Sequence, residues 1–167
     1  MNISKHLLTK WHYTLLTAAL AVSVGLVGWG LSGPAASAAP VVTVYKSPRC
    51  GCCGKWVNHL RKNGFEVVVK NRDDMNAVKR RLHIPGSLRS CHTATIGDYV
   101  IEGHVPAKSI RRMLDEKMPI RGLAVPRMPM GSPGMEGPNP VGYAVLQFDQ
   151  DGTATILEKM QGKSYPD

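Results

Sequence analysis

The run Cys50-Gly51-Cys52-Cys53 crowds three cysteines into four residues, between a strand-like and a helix-like segment. Sulfurs this close along the chain cannot staple distant parts of a domain together. They are suited to soft-metal capture, disulfide chemistry, or both. They also fix a local architecture, a turn of backbone opening into a helix. The fourth and last cysteine, Cys91, stands far downstream beside His92.

What such sulfurs do depends on where the chain resides. Lys5, His6, Lys10 and His12 give a basic start, Tyr13 to Leu31 is an uncharged run of 19 residues, and Ala36-Ser37-Ala38 is a small-x-small site. That order predicts a secretory signal peptide over residues 1–39 and a mature domain over 40–167. The rival is an uncleaved anchor, because about 20 apolar residues span a bilayer. Polar Thr and Ser, the glycines and the Ala-rich exit favour cleavage. Outside the cytosol, thiols drift to disulfides unless a metal or reductant holds them. Beyond residue 39, 19 Lys and Arg residues stand against 12 acids, a formal charge of +7. The basic residues (Lys55, Arg61, Lys62, Lys79, Arg80, Arg81, Arg111, Arg112) fall on predicted helix faces and read as solvated surface. An exported chain of this kind has no nucleic-acid partner, and it touches a membrane only if its leader is retained.

Periodicity supplies the frame. Val41 to Tyr45 is β-branched and reads as a buried strand, broken by Ser47-Pro48-Arg49. Cys52 to Asn63 is helical, with Trp56, Val57 and Leu60 inward, and Gly64 ends it. Phe65 to Val69 is a second strand. Asp73 or Asp74 caps a second helix through Leu82, with Met75, Val78 and Leu82 on one face. Thr93 to Ile96 and Tyr99 to Val105 form a hairpin about Gly97-Asp98. Pro106 opens a third helix, Ala107 to Glu116. The order β-α-β-α-β-β-α predicts an α/β fold, a thioredoxin-like mixed sheet flanked by helices, with the first two strands parallel across a helical crossover. Residues 119–142, rich in Pro and Gly, read as a long loop without regular structure. Tyr143 to Phe148 and Thr153 to Leu157 read as a terminal β-hairpin.

The chemistry follows from the frame. A helix N-terminus favours anions, and thiolates are anions. Cys50 and Cys53 have the C-x-x-C spacing of a redox pair, and Cys52 is an extra sulfur that would compete for the wrong disulfide. In a metal site it is instead a third ligand. Adjacent Cys52 and Cys53 serve one tetrahedral ion only with strain, but they can bridge neighbouring ions, as Cu(I)–thiolate chemistry favours. Zinc sites use two spaced pairs, and the second pair is missing, so zinc with Cys91 and His92 ranks below copper. Topology brings Cys91 and His92 towards the start of the first helix. His104, at a strand end, and His59, two turns along the helix from Cys52, are secondary candidates. Met128, Met130 and Met135 follow no core period and offer soft thioether ligands. Their plain alternative is loop packing over the core.

The stretches VTVYKSPRCGCCGKWVNHL, SCHTA, EGHVPA and GLAVPRMPMGSPGME, in that order, resemble the CopG family of periplasmic copper-resistance proteins, also described as domain of unknown function number four hundred and eleven. The resemblance covers residues 41–160. It implies a thioredoxin-like fold whose Cys50, Cys52 and Cys53 hold copper, with Cys91 as a further family cysteine, and a periplasmic role in copper tolerance beside other copper-handling proteins. The expectation is therefore a protein that sequesters, transfers or redox-cycles copper, several ions as Cu(I), through its thiolate cluster, whether or not that cycling is enzymatic. The rivals are a periplasmic thiol-disulfide oxidoreductase using Cys50 and Cys53 as its catalytic pair, and a structural domain with two disulfides.

Overall fold

A computed structural model describes residues 41–164. The signal-peptide expectation for residues 1–39 lies outside them. Seven strands form one mixed sheet: β1 (Val41–Lys46), β2 (Glu66–Asn71), β3 (Thr93–Ile96), β4 (Tyr99–Gly103), β5 (Gly122–Val125), β6 (Tyr143–Phe148) and β7 (Ala154–Met160). The order across the sheet is β2-β1-β3-β4-β5-β6-β7. Helix α1 (Gly51–Lys62) joins β1 to its parallel neighbour β2. Helix α2 (Met75–Arg81) and a 3₁₀ turn (Gly86–Leu88) lead to β3, which runs antiparallel to β1. Helix α3 (Ala107–Asp115) carries the chain from β4 to β5, which is parallel to it. A parallel pair needs such a crossover because no tight turn can join it.

Period-2 alternation sorts the sheet's two faces. Val42, Val44, Ile101 and Leu123 pack with Trp56, Val57 and Leu60 of α1 and Ile110 and Met113 of α3. Val100, Ala124 and Phe148 pack with Ile84 and Leu88. Each large apolar side chain so buried contributes roughly 1.5–3 kcal/mol. At the edge, Val68 and Val69 of β2 stay exposed. No described helix is long and apolar enough to cross a membrane.

Two expectations are corrected. Residues 119–142 are not all irregular: Gly122–Val125 is a strand, every residue of it buried, between β4 and β6. Four residues flanked by Pro119 and Pro126 are too few to show a period. Lys79 is not surface. It is buried on α2 because Glu102 of β4 pairs with it.

Candidate metal centre

Helix α1 begins with no side-chain cap and no acid in its first turn, while His59, Arg61 and Lys62 occupy its last turn. The basic residues suit the negative end of the helix. The positive end carries three cysteines and no acid. Cys50 is the N-cap, Cys52 lies half-buried in the first turn, and Cys53 is fully buried. Cys50 and Cys53 form a disulfide, with their Cα atoms 5.4 Å apart. Cys52 and Cys91 are free thiols. The two-disulfide reading is thereby corrected, since Cys91 stands beside the helix without being bonded to it. Its Sγ lies 3.5 Å from that of Cys53, and the Sγ of Cys52 lies 3.5 Å from that of Cys50.

Cys91 is also the hinge to a second donor group. Its Sγ is 3.3 Å from His92 Nδ1 and 3.2 Å from His104 Nε2. Two sets of donors therefore each fall within 4.8 Å: Cys50, Cys52, Cys53 and Cys91, and then Cys91, His92 and His104. Both histidines are fully buried. The His92 ring packs on Trp56 with centroids 4.3 Å apart and meets His104 edge-on at 5.0 Å. Trp56 is itself anchored, its Nε1–H donating to Val105 O at 2.8 Å. His104 Nδ1 lies 2.8 Å from the Pro133 carbonyl, which can only accept. Nδ1 therefore carries the proton, and Nε2 presents its lone pair towards Cys91. His92 Nε2 is buried with no hydrogen-bond partner.

Burial sets the protonation states. It pulls His92 well below the ordinary imidazole value, with nearby His104 and Lys79 adding to the effect. It lowers His104 too, against the opposing Pro133 carbonyl. Neutral imidazole is the ligating form. Burial, reinforced by the charge of Cys52, pushes the Cys91 thiol up to about 12. A metal ion at Cys91 must therefore displace a proton.

The Pro/Gly loop covers the cluster. Gly134, at φ +85, lies so close to α1 that a Cβ there would stand 2.8 Å from Trp56 N and 2.9 Å from Cys52 O. Met128, 46% exposed, brings its Sδ to 4.0 Å from Cys52 Sγ. Met130 sits over Gly137, and Met135 is tied by backbone bonds to Gly131 and Ser132. His59 takes a different role: its Nε2 accepts the Ala107 N–H at 3.1 Å and so caps α3.

Several contributors were not singled out from the sequence: Trp56 beneath His92, the Pro133 carbonyl, and the buried group Lys79, Thr93 and Glu102. Glu102 left a signal, as a lone acid inside the apolar strand YVIEG. A charge in that position demands a buried partner.

With the Cys50–Cys53 bond reduced, four thiolates, a thioether and two neutral imidazoles would make a soft donor set of the kind that suits copper, and the Cys–His–His corner also suits zinc. The family model described as "Protein of unknown function, DUF411" matches residues 88–135. Two solved structures, "Copper resistance protein copG- Form 2" and "Form 1", are each 43% identical to this chain with TM-scores of 0.69. They are matched over 73% and 74% of this chain and over 98% and 99% of their own. Among curated proteins no relative was found.

Proposed function

The chain belongs to the CopG family of copper resistance proteins, and from that footing we propose that it is an exported copper-binding protein that gathers Cu(I) at the start of α1. The observation that carries this reading is the convergence of all four cysteine sulfurs within 4.8 Å. Cys50, Cys52, Cys53 and Cys91 supply thiolates, and His92 and His104 supply neutral nitrogen. Cys91 belongs to both donor sets, and a thiolate in that position can bridge two ions, which suits a site for several coppers. Met128 is the outermost donor, at the solvent edge beside Cys52. Met130 and Met135 belong to the covering loop.

In the disulfide state Cys50 and Cys53 are not thiolates. Full capacity requires reduction of that bond, as when two equivalents of a small thiol supply two electrons and two protons and leave joined as their own disulfide. Reduction and copper uptake are therefore linked, and the protein holds more Cu(I) when reduced. The test is cuprous titration of the reduced protein beside the variant Cys50→Ser/Cys52→Ser/Cys53→Ser. Unchanged stoichiometry in the variant refutes the assignment.

The disulfide also favours a second reading, a thiol-disulfide oxidoreductase using Cys50 and Cys53. Cys52 and Cys91 count against it, because each lies within 3.5 Å of one sulfur of the pair and would intercept a mixed disulfide. Turnover of a disulfide substrate by metal-free protein separates the two readings.

A further inference from the structure

Lys79 of α2 and Glu102 of β4 form an ion pair 2.5 Å long, their side chains 4% and 0% exposed. Taking two charges out of water carries a large desolvation penalty, and apolar side chains of similar size often stabilise a core as well. The pair's other contacts show what it does. Glu102 Oε1 also accepts the Ser90 N–H at 2.6 Å, and Oε2 accepts the Thr93 hydroxyl at 2.6 Å. Lys79 Nζ donates to Thr93 Oγ1 at 2.9 Å. The pair thus grips residues 90 and 93, and between them lie Cys91 and His92.

That grip falls at the start of β3, where one last ladder bond, Gly103 N–H to His92 O at 3.0 Å, reaches past Thr93. Strand β3 starts only at Thr93, and Ser90 reaches the sheet through an isolated bridge to Arg127. The Ser90 hydroxyl donates to the Arg127 carbonyl, and the Arg127 N–H donates to Arg89 O at 3.3 Å. Arg127 immediately precedes Met128. Beside that backbone bond, one buried carboxylate holds both flanks of Cys91 and His92, and through Ser90 it reaches the approach to Met128. The residue type matters. A carboxylate offers about four lone-pair sites and meets three donors here, whereas a neutral amide offers one acceptor oxygen and would turn its NH₂ towards a donor.

We propose that the Lys79–Glu102 pair is a positioning device for the metal centre, holding Cys91 and His92 against the cysteines of α1. This rests on the metal-binding reading above. The two residues make no hydrogen bond to a donor atom of either set; their bonds go to Ser90 and Thr93. Outer partners of this kind typically change metal affinity by about 10–100-fold.

The test uses Lys79→Met/Glu102→Gln, which removes both charges together so that neither is left buried alone. Two readouts are taken on folded protein. The first is the alkylation rate of Cys91 in the metal-free, unreduced protein, expected to rise several-fold. The second is Cu(I) affinity by chelator competition, with and without Cys91→Ser. In the wild type Cys91→Ser should weaken binding by about tenfold or more, and in the double variant it should cost little further. An unchanged alkylation rate, or an equal Cys91→Ser cost in both backgrounds, overturns the proposal. A wild type that takes up no cuprous ion sinks the functional reading instead, and the alkylation arm then decides the positioning claim. Should the double variant not fold, Thr93→Val removes one strut and is expected to move both readouts the same way by less. No movement in either readout with that variant would also overturn the proposal.

Discussion

The sulfur of Cys91 lies 3.5 Å from that of Cys53 although the two residues are 38 apart in sequence. The sheet order β1-β3-β4 produces this contact. It sets the start of β3 beside the start of α1, so a loop cysteine completes a helix-terminal cluster.

The first prediction concerns thiol count. Alkylation of unreduced, metal-free protein followed by mass measurement should find two labelled cysteines, Cys52 and Cys91, and four after reduction. No label before reduction would restore the two-disulfide domain. Four labels before reduction would remove the Cys50–Cys53 bond from the account.

The second concerns pH. In metal-free protein, His92 and His104 sit below the ordinary 6.5, so the unfolded chain takes up protons first as pH falls. Their contribution is present above 6.5 and is lost in acid. Cys91 is raised from 9.0 to about 12, so there the unfolded chain loses its proton first. Its contribution is present below 9.0 and is lost as pH rises towards 12. Urea midpoints should therefore be highest between these limits and fall on both sides. A midpoint that keeps rising into acid would count against the buried neutral histidines.

The third tests the support under His92. Trp56→Phe keeps a ring beside His92 but strands the Val105 carbonyl that Nε1–H now serves. An unpartnered buried acceptor costs about 1–3 kcal/mol. Denaturant unfolding should show a loss of that order, and no loss would mean that the bond contributes little.

How much of this was legible in the sequence depends on how local each signal was. The strand before Cys50, the helix after it and both hairpins were readable because apolar period and turn chemistry coincide there. Strand β5 was not, because GLAV is short and sits in Pro/Gly surroundings. Among candidate site residues, spacing and topology point to Cys50, Cys52, Cys53, Cys91, His92 and His104, which the structure places in two groups that share Cys91, while of Met128, Met130 and Met135 it sets Met128 beside a candidate sulfur. His59 shares a helix face with Cys52, which makes it a candidate ligand from sequence. The N-terminus of α3 lies against that face and takes its ring nitrogen instead. The Lys79–Glu102 pair joins residues 23 apart on different elements, and no window of sequence displays such a contact.

The fourth prediction addresses backbone fit. Gly103, at φ +73, sits where a Cβ would stand 2.5 Å from Val125 O and 2.7 Å from Ser90 Cβ. Gly103→Ala should cost about 1–3 kcal/mol through the backbone conformation alone, and more through those contacts. It should also displace Ser90 and so lower Cu(I) affinity beside the stability loss. Wild-type affinity in the folded variant would show that the site tolerates movement of this segment.

The central claim is that the sulfur cluster holds copper, and X-ray absorption at the copper edge of reduced protein loaded with cuprous ion tests it most directly. A first shell dominated by sulfur, with a smaller nitrogen share that falls in His104→Ala, is the predicted result. A shell of nitrogen and oxygen alone would contradict it.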